Sequence, residues 1–433
     1  VKNKNQLISL SFLIPSIGFL FLLILYFLFK QNFLEFIKPN TVDLNELKTF
    51  TLLKLNFHLV FFLVAFISIF EVFCSLSYSI LNTTFPIFLK EIFLKGMNVL
   101  LLFLHWYSYI DFPTFLKLYI ALYLAMTIFI SINVFRKYTY RLTFNFNEIQ
   151  SNELLVYGLY VLAGGASAIL VSKVDMVMIG KLIGYKEVAF YTVAYFIGNV
   201  VRVPARAIGS ICMPLVARAW KKDDLVAIKD IYVKSAINQL ILGGLIFLGV
   251  WLNIDDALSL FPVKFQGGRL VVFFIAFSQL FNVSTGVNGL IIANSKYYRF
   301  DLYSNFMLLC FTLFTNYIFI PSTSPLASYD IVGINGAAFA TLLSVFFFNT
   351  IKMIFIYWKM RIQPFSIKTF YTVFLLLVIY YLSFYIPLIE NVYFNLLWRS
   401  FYILLFFIPG MYWLNLSKDI NQAILEITKK IFK

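Results

Sequence analysis

The stretch Gln6–Phe29, QLISLSFLIPSIGFLFLLILYFLF, decides the class of fold. Its 24 residues carry no charged side chain, and a helix of roughly 20 apolar residues is what crosses about 30 Å of hydrocarbon. A cleavable leader would have an apolar segment of only about 7 to 15 residues followed by small residues, so this segment reads as a first span. Runs of the same kind recur as far as Leu414, near 6–29, 56–79, 92–110, 115–135, 154–175, 188–212, 231–251, 269–292, 301–320, 333–358, 369–388 and 392–415. Composition agrees. The chain is 61% hydrophobic and 13% charged, against roughly 45–50% and about 25% for a soluble domain. The expectation is an all-α polytopic membrane protein of about twelve spans.

The net charge of +15 does not point to nucleic acid, because the basic residues separate apolar runs instead of forming a patch. Alternate loops differ about twofold in Lys and Arg. The richer side includes Lys90, Arg136, Lys221, Lys222, Lys296, Arg299, Lys359 and Arg361; by the positive-inside rule it is cytoplasmic, with both termini. Residues 416–433 space Ile420, Ile424, Ile427 and Ile431 among charges and read as an amphipathic tail on that face. His58 and His105 are isolated, and Cys74, Cys212 and Cys310 each lie within an apolar run. No metal site, disulfide or cofactor is expected.

An internal repeat is legible. Ile80-Leu81-Asn82-Thr83 resembles Ile292-Ala293-Asn294-Ser295, an offset of 212 residues. At that offset the third and fourth spans pair with the ninth and tenth, and partners for the fifth and sixth would precede residue 1. Two readings stand: a first lobe lacking two N-terminal helices, or a processed or alternative start with an asymmetric lobe.

The stretch Ser172-Lys-Val-Asp175-Met-Val-Met-Ile179-Gly180-Lys-Leu-Ile-Gly184, with Glu187-Val-Ala-Phe-Tyr191-Thr-Val-Ala194, then Pro204 and Pro214, resembles the middle of polysaccharide biosynthesis proteins. These are lipid-linked oligosaccharide flippases of the multidrug/oligosaccharidyl-lipid/polysaccharide exporter superfamily. Gly286-Val287-Asn288 and Gly333-Ile-Asn-Gly-Ala-Ala338 extend the likeness. The resemblance implies an N-terminal lobe at 1–150 with four visible spans, a C-terminal lobe at 151–360 with six, and two further helices at 361–415 before the tail. It also implies the lipid. The expected function is flipping of a polyprenyl-pyrophosphate-linked oligosaccharide across the inner membrane for O-antigen lipopolysaccharide, capsule or exopolysaccharide synthesis, by alternating access around a cationic cavity.

Charges within spans are the candidate site, since each costs about 2.5–3.5 kcal/mol at the bilayer centre. Arg202 and Arg206 sit one turn apart on one face with Asn199, and Pro204 lies between them. Guanidinium forks suit phosphate, so they are candidates for holding pyrophosphate, joined by Lys234; pairing with Asp175 and interfacial snorkelling are the alternatives. Asn282, Thr285 and Asn288, with Asn199, are expected to line a cavity or to join helices. Glu71 and Asp175 are candidate coupling sites for a proton or sodium ion, Asp175 alternatively neutralising Lys173 or Arg202. Lys95, Lys117 and Lys352 read as snorkelling anchors, as does Arg399. Two other functions compete. A drug or cation exporter of the same superfamily would need an acidic cavity, and a glycan polymerase or ligase would need acid and base groups on a large outer loop. The mid-span charges are mostly basic, and the longest loop, 30–55, has no paired carboxylates.

Overall fold

The structure, a computed structural model, describes residues 4–39, 44–79, 82, 84–137, 151–387 and 389–431. It is helical throughout the described regions, as expected. Ten described helices are long and apolar enough to cross a bilayer. The expected count of twelve differs at two places. The third expected span begins instead as α4 (Thr84–Phe88) and a π-helical turn before α5 (Leu94–Trp106), and 13 residues reach only about 20 Å. The fifth falls in α7 (Ser151–Leu182), a 32-residue helix many of whose side chains are outside the description. Of the first repeat tetrapeptide, Ile80, Leu81 and Thr83 are likewise outside it.

Residue contacts divide the chain into two units, one of residues 1–38 and 42–157, the other of 158–433 with 39–41. In the first, α3 (His58–Ser79) packs between α1 (Lys4–Ile37) and α6 (Phe112–Lys137), with α2 (Leu44–Asn56) against its start. Phe70, Phe73, Leu89, Met126 and Ile130 fill the core. Asn82 donates to Asn133 at 2.8 Å and Thr127 to Phe66 O at 3.1 Å, polar ties that replace the hydrophobic drive missing between helices in lipid.

The second unit continues with α8 (Tyr185–Asn199), α9 (Val203–Lys221), α10 (Leu225–Leu252), α11 (Ile254–Ser259), α12 (Arg269–Ser284), α13 (Asn288–Ala293), α14 (Tyr298–Phe319), α15 (Gly333–Met360), α16 (Ile367–Leu382), α17 (Val392–Trp413) and α18 (Lys418–Ile431). Helix α12 is its axle and packs on α8, α10 and α15. The span expected at 269–292 is broken, because Gly286 takes φ +63° and a Cβ there would come within 2.9 Å of Ser235 Oγ. Gly336 lets α15 cross α14, since a Cβ would lie 1.9 Å from Phe319 O. Backbone cannot yield as a side chain does, so Gly336→Ala is expected to cost at least the roughly 1–3 kcal/mol of an overpacked core, read as a lowered unfolding midpoint in detergent. An unchanged midpoint would show that the crossing tolerates a methyl group.

The amphipathic tail forms α18. Asn238 of α10 donates to Asp419 at 2.9 Å and accepts from Ser417 at 2.5 Å, and Ile420 joins the core of Ile237, Ile241 and Met411. Lys352 and Arg399 are not free anchors. Lys352 is buried and bonds Asp301 at 2.7 Å; Arg399 donates to Leu252 O at 2.6 Å, 3.9 Å from Asp256.

Candidate functional site

From Tyr185 to Lys221 the chain follows one helical path of 37 residues, with a 3₁₀ turn at Val200–Arg202 between α8 and α9. Pro204 accounts for the tighter turn. It has no N–H to return to Val200 O in α fashion, and the Val203 N–H bonds Val200 O three residues back instead. Tyr191, Tyr195, Asn199, Arg202 and Arg206 follow at intervals of three or four and share a face.

Arg202 and Arg206 are exposed and close enough to feel each other's charge. Among the described residues neither has an ion-pair or hydrogen-bond partner. Two such guanidiniums repel until an anion answers them, and their forks can grip phosphate oxygens two at a time. Beside them the side-chain oxygen of Asn199 is buried without a partner, and Tyr195 feels the charges of both arginines and of Asp175.

Asp175 is buried on α7. It accepts from Tyr191 Oη at 2.8 Å, from Asn316 Nδ2 at 2.7 Å and from Thr341 Oγ1. These three donors come from α8, α14 and α15, and all are neutral. The alternatives in which Asp175 neutralises Lys173 or Arg202 are therefore corrected: no ion pair joins them. Tyr191, Asn316 and Thr341 were missed in the sequence, although Asn316, set among apolar and aromatic residues in the second half of the ninth apolar run, was a signal available to be read. Asn316 Oδ1 is also buried without a partner.

The other candidates have partners of their own. Lys234 bonds Asp230 one turn earlier at 2.8 Å on an exposed face, so its charge is answered within its own helix. Glu71, in the first unit, pairs with Lys90 at 2.7 Å. Asn282, Thr285 and Asn288 join helices instead of lining a cavity here: Thr285 and Asn288 donate to Asn349 Oδ1 at 3.1 and 3.0 Å, and Asn349 Nδ2 donates to Asn282 at 3.1 Å. The cavity beside α12, about 530 Å³, lies on its opposite face and is walled by Phe247, Trp251, Phe273, Phe277, Leu376 and Tyr380.

The architecture is that of an all-helical polytopic membrane protein. It is similar to the solved structure of "Lipid II flippase MurJ, inward closed conformation", with a TM-score of 0.70 and 14% sequence identity, over 95% of this chain and 84% of that chain. Residues 118–241 match the family described as polysaccharide biosynthesis protein, so the likeness read from the sequence holds across the segment that carries Asp175, Tyr191, Arg202 and Arg206. No curated protein matches the chain by sequence.

Proposed function

We propose that the protein flips a polyprenyl-pyrophosphate-linked oligosaccharide from the cytoplasmic to the outer leaflet of the inner membrane, with both termini cytoplasmic, for polysaccharide synthesis. The observation that carries this reading is the pair Arg202 and Arg206, unanswered by any described carboxylate halfway along a 37-residue helical path. In this reading the arginines hold the pyrophosphate, and Lys234 joins them by releasing Asp230 when an anion competes. The lipid tail remains in hydrocarbon, and alternating access presents the charged face to each leaflet in turn.

Asp175 is the coupling site of the same reading. Its carboxylate, the hydroxyl of Thr341 and the unpartnered amide oxygen of Asn316 offer an all-oxygen set, which suits a hard cation, while Tyr191 holds the carboxylate from α8 without belonging to that set. Glu71 is a weaker candidate because Lys90 already balances it.

The direct test reconstitutes the chain in liposomes with a fluorescent polyprenyl-pyrophosphate glycan and measures how fast an added quencher reaches the inner-leaflet lipid. Protein-dependent exchange, competed by unlabelled lipid pyrophosphate but not by lipophilic cations, is expected. Exchange no faster than in protein-free vesicles would remove the proposal, and competition by cations alone would favour an exporter.

A further inference from the structure

The face that carries the arginines is wired to the buried acid. Asp175 draws its three hydrogen bonds from three helices, but of these only α8 runs on into Arg202 and Arg206. Tyr191 and Arg202 are eleven positions apart on one face, about 16 Å along the axis. Three features make this path a lever. Tyr191 is fully buried, its ring centroid 5.9 Å from that of Tyr195. Gly198 lies directly against α12, where a Cβ would come within 2.9 Å of Ile275, and this close contact forms a pivot. Just beyond it stands the 3₁₀ turn Val200–Arg202.

A 3₁₀ turn rises about 2.0 Å per residue with about 3.0 residues per turn, against about 1.5 Å and 3.6 for an α-helix. Rewinding three residues therefore changes the path by roughly 1.5 Å and rotates Arg206 relative to Tyr191 by roughly 60°. Pro204 keeps the two windings close in energy, since the α form gains no bond at that position. The buried, unpartnered oxygen of Asn199 beside the turn marks where this winding leaves a polar group unsatisfied.

We propose that Tyr191 is a positioning residue whose hydrogen bond to Asp175 transmits cation occupancy of that site to the winding at Val200–Arg202, and so to the grip of Arg202 and Arg206 on pyrophosphate. This rests on the function proposed above. A cation at the carboxylate competes for Oδ2, the oxygen that receives the Tyr191 hydroxyl. Loss of that bond frees the upper end of α8 to turn about Gly198. By linkage, sodium then changes pyrophosphate affinity, and pyrophosphate changes sodium affinity by the same factor.

The experiment measures binding of geranylgeranyl pyrophosphate to the full chain in nanodiscs, in sodium and in choline at equal ionic strength. Wild type is expected to show about a tenfold difference between the two salts, within the usual range of coupling between sites. Tyr191→Phe keeps the ring and removes only the hydroxyl, so it should bind the probe in choline within about threefold of wild type while the sodium effect falls below about twofold, a change of coupling that a role in ring packing alone would not produce. Tyr195→Phe, on the same face, should keep the effect. Undiminished sodium dependence in Tyr191→Phe, or none in wild type, overturns the inference while leaving pyrophosphate binding in place. Failure of wild type to bind the probe defeats the parent reading as well.

A second measurement does not depend on Tyr191→Phe folding. Spin labels at Phe196→Cys and Leu215→Cys, with Cys74, Cys212 and Cys310 replaced by Ala, should show a sodium-dependent change of about 1–2 Å in their separation, as rewinding requires. A separation that sodium leaves unchanged overturns the lever.

Discussion

Arg202→Ala and Arg206→Ala should each reduce glycolipid flipping by about 10- to 100-fold, and the double variant should abolish it, while all three insert at wild-type levels. The magnitude follows from what is lost. A hydrogen bond to a charged group is worth about 1.5–3 kcal/mol, and each 1.4 kcal/mol is a factor of about ten. Both side chains are exposed and unpaired among the described residues, so truncation leaves no orphaned carboxylate and little folding penalty. Arg→Lys should restore part of the rate, since lysine keeps the charge but not the bidentate fork. Flipping in liposomes, normalised to reconstituted protein, reads all of these. Wild-type flipping by the double variant would return both residues to the role of interfacial anchors. The neutral partners of Asp175 add a control: Asp175→Ala should not rescue Arg202→Ala, as it would if the two residues balanced each other.

The spans were legible because burial in lipid leaves an unbroken apolar run, and Gln6–Phe29 needs no tertiary knowledge to be read. The breaks were less so. Gly286 lies in an apolar context, and only its left-handed backbone and the closeness of Ser235 turn one expected span into α12 and α13. The arginines stood out because a charge in a span is rare and local. The partners of Asp175 did not, since Asn316 and Thr341 lie 141 and 166 residues away and each alone looks like an ordinary helix-joining polar residue. Asp230 was hidden differently: it sits one turn from Lys234 on the same helix, and reading Lys234 only as a companion of the two arginines left it out. The polar stripe of α12 was ambiguous by nature, because the same spacing serves a cavity wall or a zipper. Asn349 on α15 decides for the zipper in this state.

Lys352 gives the second large expected effect. It reads as an anchor only if α15 ends at the membrane surface, but the helix runs 28 residues, about 42 Å, which places Lys352 about 12 Å inside its C-terminal end. Its ammonium is buried, 2.7 Å from Asp301 Oδ1 and 4.0 Å from the centre of the Phe348 ring, while Asn305 Nδ2 holds the other carboxylate oxygen at 3.2 Å. Removing one partner of a buried pair strands the other, at a cost of about 3–5 kcal/mol. Lys352→Met and Asp301→Asn should therefore each lower the unfolding midpoint sharply and reduce the amount of folded protein recovered. The combined variant strands nothing and should regain most of the loss, because methionine fills the lysine's volume and asparagine keeps the contact with Asn305. A double variant as unstable as the singles would mean that packing, not charge balance, fixes this site. Flipping by the recovered double variant decides the remaining question. The pair shares no contact with Asp175 or the arginines among the described residues, so near-wild-type rates are expected, whereas a stable but inactive double variant would move Lys352 and Asp301 into the transport cycle.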